Sequence, residues 1–244
     1  MMTTFHSMLF SLVHTKRRLA RDTSGLAMLE FAFSAPIVLM IGLYGIETAN
    51  QALINLKVSQ IALNLADNAS RVGLISNANI EQLREIDLND VLQAARNQGA
   101  SIDLTTRGRI TISSLENVQR TFDAAPKQRL HWQRCIGMKS GVNYDSSYGT
   151  TTTTAGTDAT SGNAGTLAPL GMGDAPDLVQ APTNGGVIFV EINYDYKPIV
   201  GQWLFGPARI HYIASFIVRD NRDFVQIYNP APTATRATCN LYAA

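Results

Sequence analysis

Residues that build reactive sites are scarce in this chain. Two cysteines and four histidines are spread over 244 residues. His6 and His14 lie at the start, and His131 and His211 stand singly within strand-like runs, where half-exposed sheet residues are expected rather than ligands. HExxH, P-loop, GxSxG and CxxC patterns are all missing. No catalysis, cofactor or metal is therefore expected. Charge is also thin, at 16% of residues and a net +1. That excludes the face-wide basic surface nucleic-acid binding needs. Proline is missing between Pro36 and Pro126, so nothing in that interval forces a helix to break.

The charge that exists is unevenly placed. Residues 1–25 carry Lys16, Arg17, Arg18 and Arg21 against Asp22 alone. An apolar run follows, in which Glu30 is the single charge between Leu26 and Ile46. As a helix this run spans about 31 Å, the thickness of a bilayer's hydrocarbon core. A cleaved secretory signal would have a shorter apolar region, and here the best small residue, Ala35, precedes Pro36. The reading is a retained span over 26–49 behind a basic leader, 1–25. The cations predict a cytoplasmic N-terminus and an outward-facing remainder. A secreted binding domain cut by ordinary signal peptidase is a further alternative, which soluble release of the head would support. The front of the leader, "MMTTFHSMLFSLVH", is mildly apolar. It is read either as a segment lying on the membrane surface or as a sign that translation starts later, at Met2 or Met8.

Glu30 has two explanations. It lies about 6 Å inside the helix start, close enough to reach the headgroups. Its context offers another. The stretch Gly25-Leu26-Ala27-Met28-Leu29-Glu30-Phe31 resembles the prepilin-peptidase site of Flp-class type IV pilins, in which the cut follows the glycine, mature residue five is glutamate and an aromatic follows it. "EFAFSAPIVLMIGLYGIE", with its mid-run proline and second glutamate Glu47, is similar to the signature of TadE-like minor pilins, or pseudopilins, of the tight-adherence (Tad) system. "VEINYDYKPIVG" and "SFIVRDNRDF" resemble the exported part of the same family more loosely.

The resemblance implies a processing site at Gly25, Leu26, Glu30 and Phe31, with Glu30 as an assembly register residue pairing with a neighbour's new Leu26 ammonium. It implies a minor pilin that helps assemble a Flp-type IVb pilus, or Tad secretion machine, for surface adhesion. Its partners would be the inner membrane, a prepilin peptidase, other pilins and Tad assembly proteins. Its place would be the bacterial inner membrane, single-pass, with the head periplasmic or extracellular. The alternative is an uncleaved single-span envelope protein whose periplasmic head binds or scaffolds a partner.

Beyond the span, Ile54, Val58, Ile61, Leu65 and Val72 repeat at helical spacing, with Asn50, Lys57, Asn64 and Arg71 in a row on another face. This predicts an amphipathic continuation over 50–73 packed on an exported head, 74–244. Two short helices are expected next. Asn79 with Gln82 reads as a capping box for the first. Asp87 is read as the cap of the second, which carries Leu88, Val91, Leu92 and Ala95 on one face and stops at Gly99.

The period then changes to two. "RGRITISSL" alternates Ile110 and Ile112 with polar residues, and "RLHWQRCI" places Leu130, Trp132 and Ile136 together. Ile188 through Tyr196 and Ile210 through Val218 each line one face. Four such runs predict an antiparallel sheet. The fold class is thus α+β, pilin-like, with a long N-terminal transmembrane and amphipathic helix packed on an antiparallel sheet. Residues 140–166 contain 19 Gly, Ser, Thr or Asn among 27 and read as a flexible, solvated loop. Asp195, Asp220 and Asp223 read as turn and surface residues. Cys135 and Cys239, in an exported head, are expected to form a disulfide stapling the tail to the sheet, with two free, separated thiols as the alternative.

Overall fold

The computed structural model describes residues 24–76, 78–202 and 206–244. The basic residues Lys16, Arg17, Arg18 and Arg21, on which the orientation rests, lie outside them. The fold is α+β: a long apolar N-terminal helix and a five-stranded antiparallel sheet. Two compact units divide at Ala49 and Asn50.

Helix α1 runs unbroken over Ser24–Arg71, through Pro36. Of its second half, Val58, Ile61 and Leu65 are buried, with Ile54 and Val72 packed beside them. Fully burying each such side chain stabilises by roughly 1.5–3 kcal/mol. The polar row on this half is also engaged. Asn50 Nδ2 donates to the Tyr196 hydroxyl at 2.6 Å and Asn64 Nδ2 to Gln98 at 3.4 Å. Lys57 bonds the Ser101 hydroxyl. Arg71 instead pairs along its own helix with Asp67.

The segment after α1 departs from expectation. Instead of a first short helix, β1 (Leu74–Ile75) and β2 (Glu81–Gln82) form a tight hairpin. Asn79 sits at φ 56° in its turn, a conformation asparagine tolerates and not the extended one an N-cap usually takes. Helix α2, Glu85–Gln98, begins about one turn earlier than an Asp87 cap would place it, with Arg84 as cap. Asp87 is therefore the third helical residue. Its carboxylate accepts the Arg84 backbone N–H at 3.1 Å and is gripped by the Arg84 guanidinium. The predicted apolar face of α2 is buried at Leu88, Leu92 and Ala95. A one-turn helix, α3 (Leu104–Arg107), leads into the sheet.

The sheet contains β3 (Gly108–Val118), β4 (Lys127–Ile136), β5 (Thr166–Leu167), β6 (Gly185–Tyr196) and β7 (Ala208–Ile217), in the order β5-β4-β3-β6-β7. Its apolar face joins Val58, Leu88, Ile112 and Val190 in one core. One prediction fails within β4. Ser114 faces Trp132 while Leu115 faces Leu130, so His131 is an extra residue. Such a bulge reverses the alternation. Trp132 and Ile136 remain on the helix side, but Leu130 turns to the opposite face, into a second core with Phe189 and Met172.

That opposite face reads as polar and solvent-facing, yet it is covered. Arg109, Thr111, Ser113, Gln133, Glu191 and Asn193 are all buried. The Thr- and Gly-rich segment 140–166 lies on them. Thr151 N–H donates to Gln133 Oε1 at 3.1 Å, Gln133 Nε2 to Gly149 O at 3.0 Å, and Ser147 Oγ to Glu191 at 3.2 Å. Gly165, at φ +80°, passes so close to β4 that a Cβ would stand 2.1 Å from Leu130 O. The segment is thus hydrogen-bonded onto the sheet rather than solvated on all sides. Its small residues allow the approach that larger ones would prevent.

Candidate functional site

The four residues of the predicted processing site share the first two turns of α1. The Gly25–Leu26 bond lies in the first described turn of α1. Glu30 follows Leu26 by four residues and so sits above it on one face. Phe31 is 71% exposed and Leu26 54%.

Every residue from 25 to 46 is exposed except half-buried Ala35. Met28, Phe33, Val38 and Ile41 are each more than half exposed. This is an apolar cylinder about 30 Å long, far larger than the patches that soluble monomers leave bare. By length and composition it is apolar enough to cross a membrane. Hydrocarbon or other apolar helices would cover it. In such surroundings a single carboxylate is costly unless it reaches the interface or finds a cation.

In the head, Cys135 and Cys239 are bonded, joining positions 104 residues apart. The tail near them is held by more than sulfur. Arg109, 1% exposed, donates Nη1 to Gly137 O at 2.8 Å and Leu241 O at 2.7 Å, and Nη2 to Cys239 O at 2.5 Å. Its guanidinium lies 4.2 Å from the Tyr242 ring centre. Burial lowers the Arg109 pKa from its ordinary value, opposed by Tyr242 and Asp145. Two backbone bonds, Cys135 N–H to Ala237 O and Gly137 N–H to Ala243 O, both 2.7 Å, tie the tail to β4. Sequence gave no sign of this anchor, because an arginine alternating with isoleucines looks like any solvated strand residue.

Further charge is buried between α2 and β4. Glu85 and Arg134, each 1% exposed, form a forked ion pair, with Arg236 Nε at 3.4 Å from Glu85. At the bulge, Glu116 accepts from Ser114 Oγ at 2.7 Å, from His131 Nδ1 at 2.9 Å and from Arg120 at 3.0 Å. His131 is thus buried and paired, not the half-exposed residue expected. His211 keeps some exposure, between Tyr148 and Asn193.

The Ser–Glu–His grouping does not have a hydrolase's order. The serine donates to the carboxylate, not to the imidazole, so nothing draws its proton. The cavity beside it is about 10 Å³, room for roughly one water. Asp195, read as a surface residue, is clasped by Arg107 at 3.2 Å and Lys139 at 2.9 Å. Among the described residues no group of three His, Cys, Asp or Glu side chains is placed to hold a metal.

The structure therefore keeps Gly25, Leu26, Glu30 and Phe31 together on one short stretch of bare helix, and joins Cys135 to Cys239 in the head. It adds the Arg109 anchor and the Glu85–Arg134 pair, which sequence reasoning missed. No family model, curated protein or solved structure matches the chain.

Proposed function

We propose that this chain is a single-span envelope protein acting as a TadE-like minor pilin. A prepilin peptidase cuts it after Gly25, and it then takes part in assembling a Flp-type pilus or related Tad machine. The observation that carries the reading is the bare apolar helix, interrupted once, by a carboxylate four residues past a glycine–leucine bond. The cut removes the basic leader and creates an ammonium on Leu26. Glu30 then meets the ammonium of a neighbouring subunit as the helices pack, and that pair sets their register. In lipid the attraction is much stronger than in water, provided both charges are fully paired. The disulfide-stapled head suits an oxidising exterior, with the inner membrane at its base and other pilins as partners.

The deciding measurement is the mature N-terminus, read by mass spectrometry of the protein isolated from its own membranes. A chain beginning at Leu26 supports the proposal. A chain beginning at one of the first methionines, with the peptidase present, overturns it and leaves an uncleaved envelope protein with an interfacial glutamate. Glu30→Ala adds a second readout: normal cleavage with impaired pilus assembly under the proposal, and unchanged assembly otherwise.

A further inference from the structure

A cleft of about 250 Å³ opens on the covered face of the sheet. Its floor is β3 and β4, at Arg109, Thr111, Gln133 and Cys135. The Thr-rich segment forms one wall and the disulfide-bonded tail the other, so Cys135 and Cys239 tie floor to wall. Eight lining side chains carry hydroxyls, and Gln133 and Asn240 add amides. The lining has one guanidinium, Arg109, and one carboxylate, Asp145, 3.8 Å apart. Arg109 Nε is buried and has no hydrogen-bond partner, an unusual state for a donor in a folded protein.

We propose that this cleft binds one neutral sugar ring. Size, charge and hydrogen-bonding character each narrow the choice. The volume lies below the roughly 300–1,000 Å³ of sites for drug-sized ligands, so the ligand is small. A wholly apolar ligand would strand the threonine hydroxyls and the Asn240 amide of the walls, while the methyl and ring surfaces beside them suit the C–H faces of a sugar. An anion would face Asp145, and three of the Arg109 N–H donors that would greet it are already given to backbone carbonyls, of Gly137, Leu241 and Cys239. A polyol meets none of these objections. Its hydroxyls both donate and accept, matching the threonine and Asn240 side chains of the walls, which do the same. Tyr242, 45% exposed, gives ring surface for the sugar's C–H face. A ligand of about a dozen heavy atoms held mainly by hydrogen bonds binds weakly, with a dissociation constant of ~1 mM.

The inference does not depend on cleavage at Gly25. The test uses the full chain in a detergent without a sugar headgroup, so that the solubiliser cannot fill the site. Saturation-transfer NMR is run with glucose, galactose, mannose and N-acetylglucosamine, with their methyl glycosides, and with phosphate as the anionic control. At least one sugar should receive saturation. Asn240→Ala and Thr151→Val should each weaken it by about tenfold, a hydrogen bond's worth, while the disulfide and thermal midpoint stay intact. Retained binding of the glycoside identifies the end of a glycan as the ligand, and its loss identifies a free sugar. The proposal is overturned if no sugar binds, if both variants bind as wild type does, or if phosphate binds more tightly.

Discussion

Replacing Cys135 and Cys239 together by alanine removes a bond that closes a loop across 104 residues. In the chain-entropy account, a loop of that length restricts the unfolded chain by about 4.7 kcal/mol at 25 °C. The unfolded state gains most of this freedom. The folded tail keeps its two Arg109 bonds and the two backbone bonds from Cys135 and Gly137, so little native structure is lost directly. With a urea slope of about 2–3 kcal/mol per molar for a head of this size, the midpoint should fall by roughly 2 M. The slope itself should rise, because the uncrosslinked chain exposes more surface. Trp132, 2% exposed in the core, reports global unfolding by its emission. A midpoint shift under about 0.5 M with unchanged slope would refute the reasoning. It would mean that the tail detaches by itself before the sheet unfolds, so that the staple restrains a local opening and not the whole head.

Arg222→Ala should destabilise the head by about 2–4 kcal/mol, because its guanidinium donates to the Ala69, Ser70 and Val72 carbonyls that end α1, at 3.0–3.2 Å; a thermal midpoint lower by about 5–15 °C would show it. Arg134→Met leaves the buried Glu85 carboxylate with Arg236 alone, at 3.4 Å, and should cost about 3 kcal/mol, whereas Arg134→Met with Glu85→Gln should recover most of that loss in a double-mutant cycle. The Asp123 carboxyl is held down from its ordinary 3.8 to about 2, first by the forked Arg129 guanidinium and also by Lys127. Its contribution is therefore full above pH ~4 and lost as pH falls through about 2. Asp123→Asn should be less stable than wild type near neutrality, and the gap should close across that interval in acid unfolding titrations.

How far the sequence led depended on the length of each signal. Strands β3, β4, β6 and β7 are each ten residues or longer and alternate over most of their length, and the stripe from Ile54 to Leu65 repeats over three turns. Both patterns arise from burial and survive folding. The β1–β2 hairpin has two residues per strand, too few to show a period, while Asn79 and Gln82 happen to mimic a capping box. The bulge at His131 adds one residue and so carries Leu130 to the other core, a slip that alternation alone conceals. The Thr-rich segment misled through its composition. Its packing runs through backbone amides, glycines and small alanines such as Ala155, which is fully buried, none of which registers as hydrophobic. The processing stretch was legible as a pattern of residue types. The Arg109 anchor and the cleft were not, since they assemble positions from β3, β4, the covering segment and the tail.

The covalent link between β4 and the tail also decides how the head answers tension. A pull applied between α1 and the last residues passes from Cys135 to Cys239 through sulfur. Strands β5, β6 and β7 lie between those positions along the chain and stay outside the path. Roughly 350 Å of contour length is thereby withheld from extension until the bridge is reduced. Stretched from its ends, the oxidised head yields a short molecule with a slack, shielded loop, and the reduced head a long one.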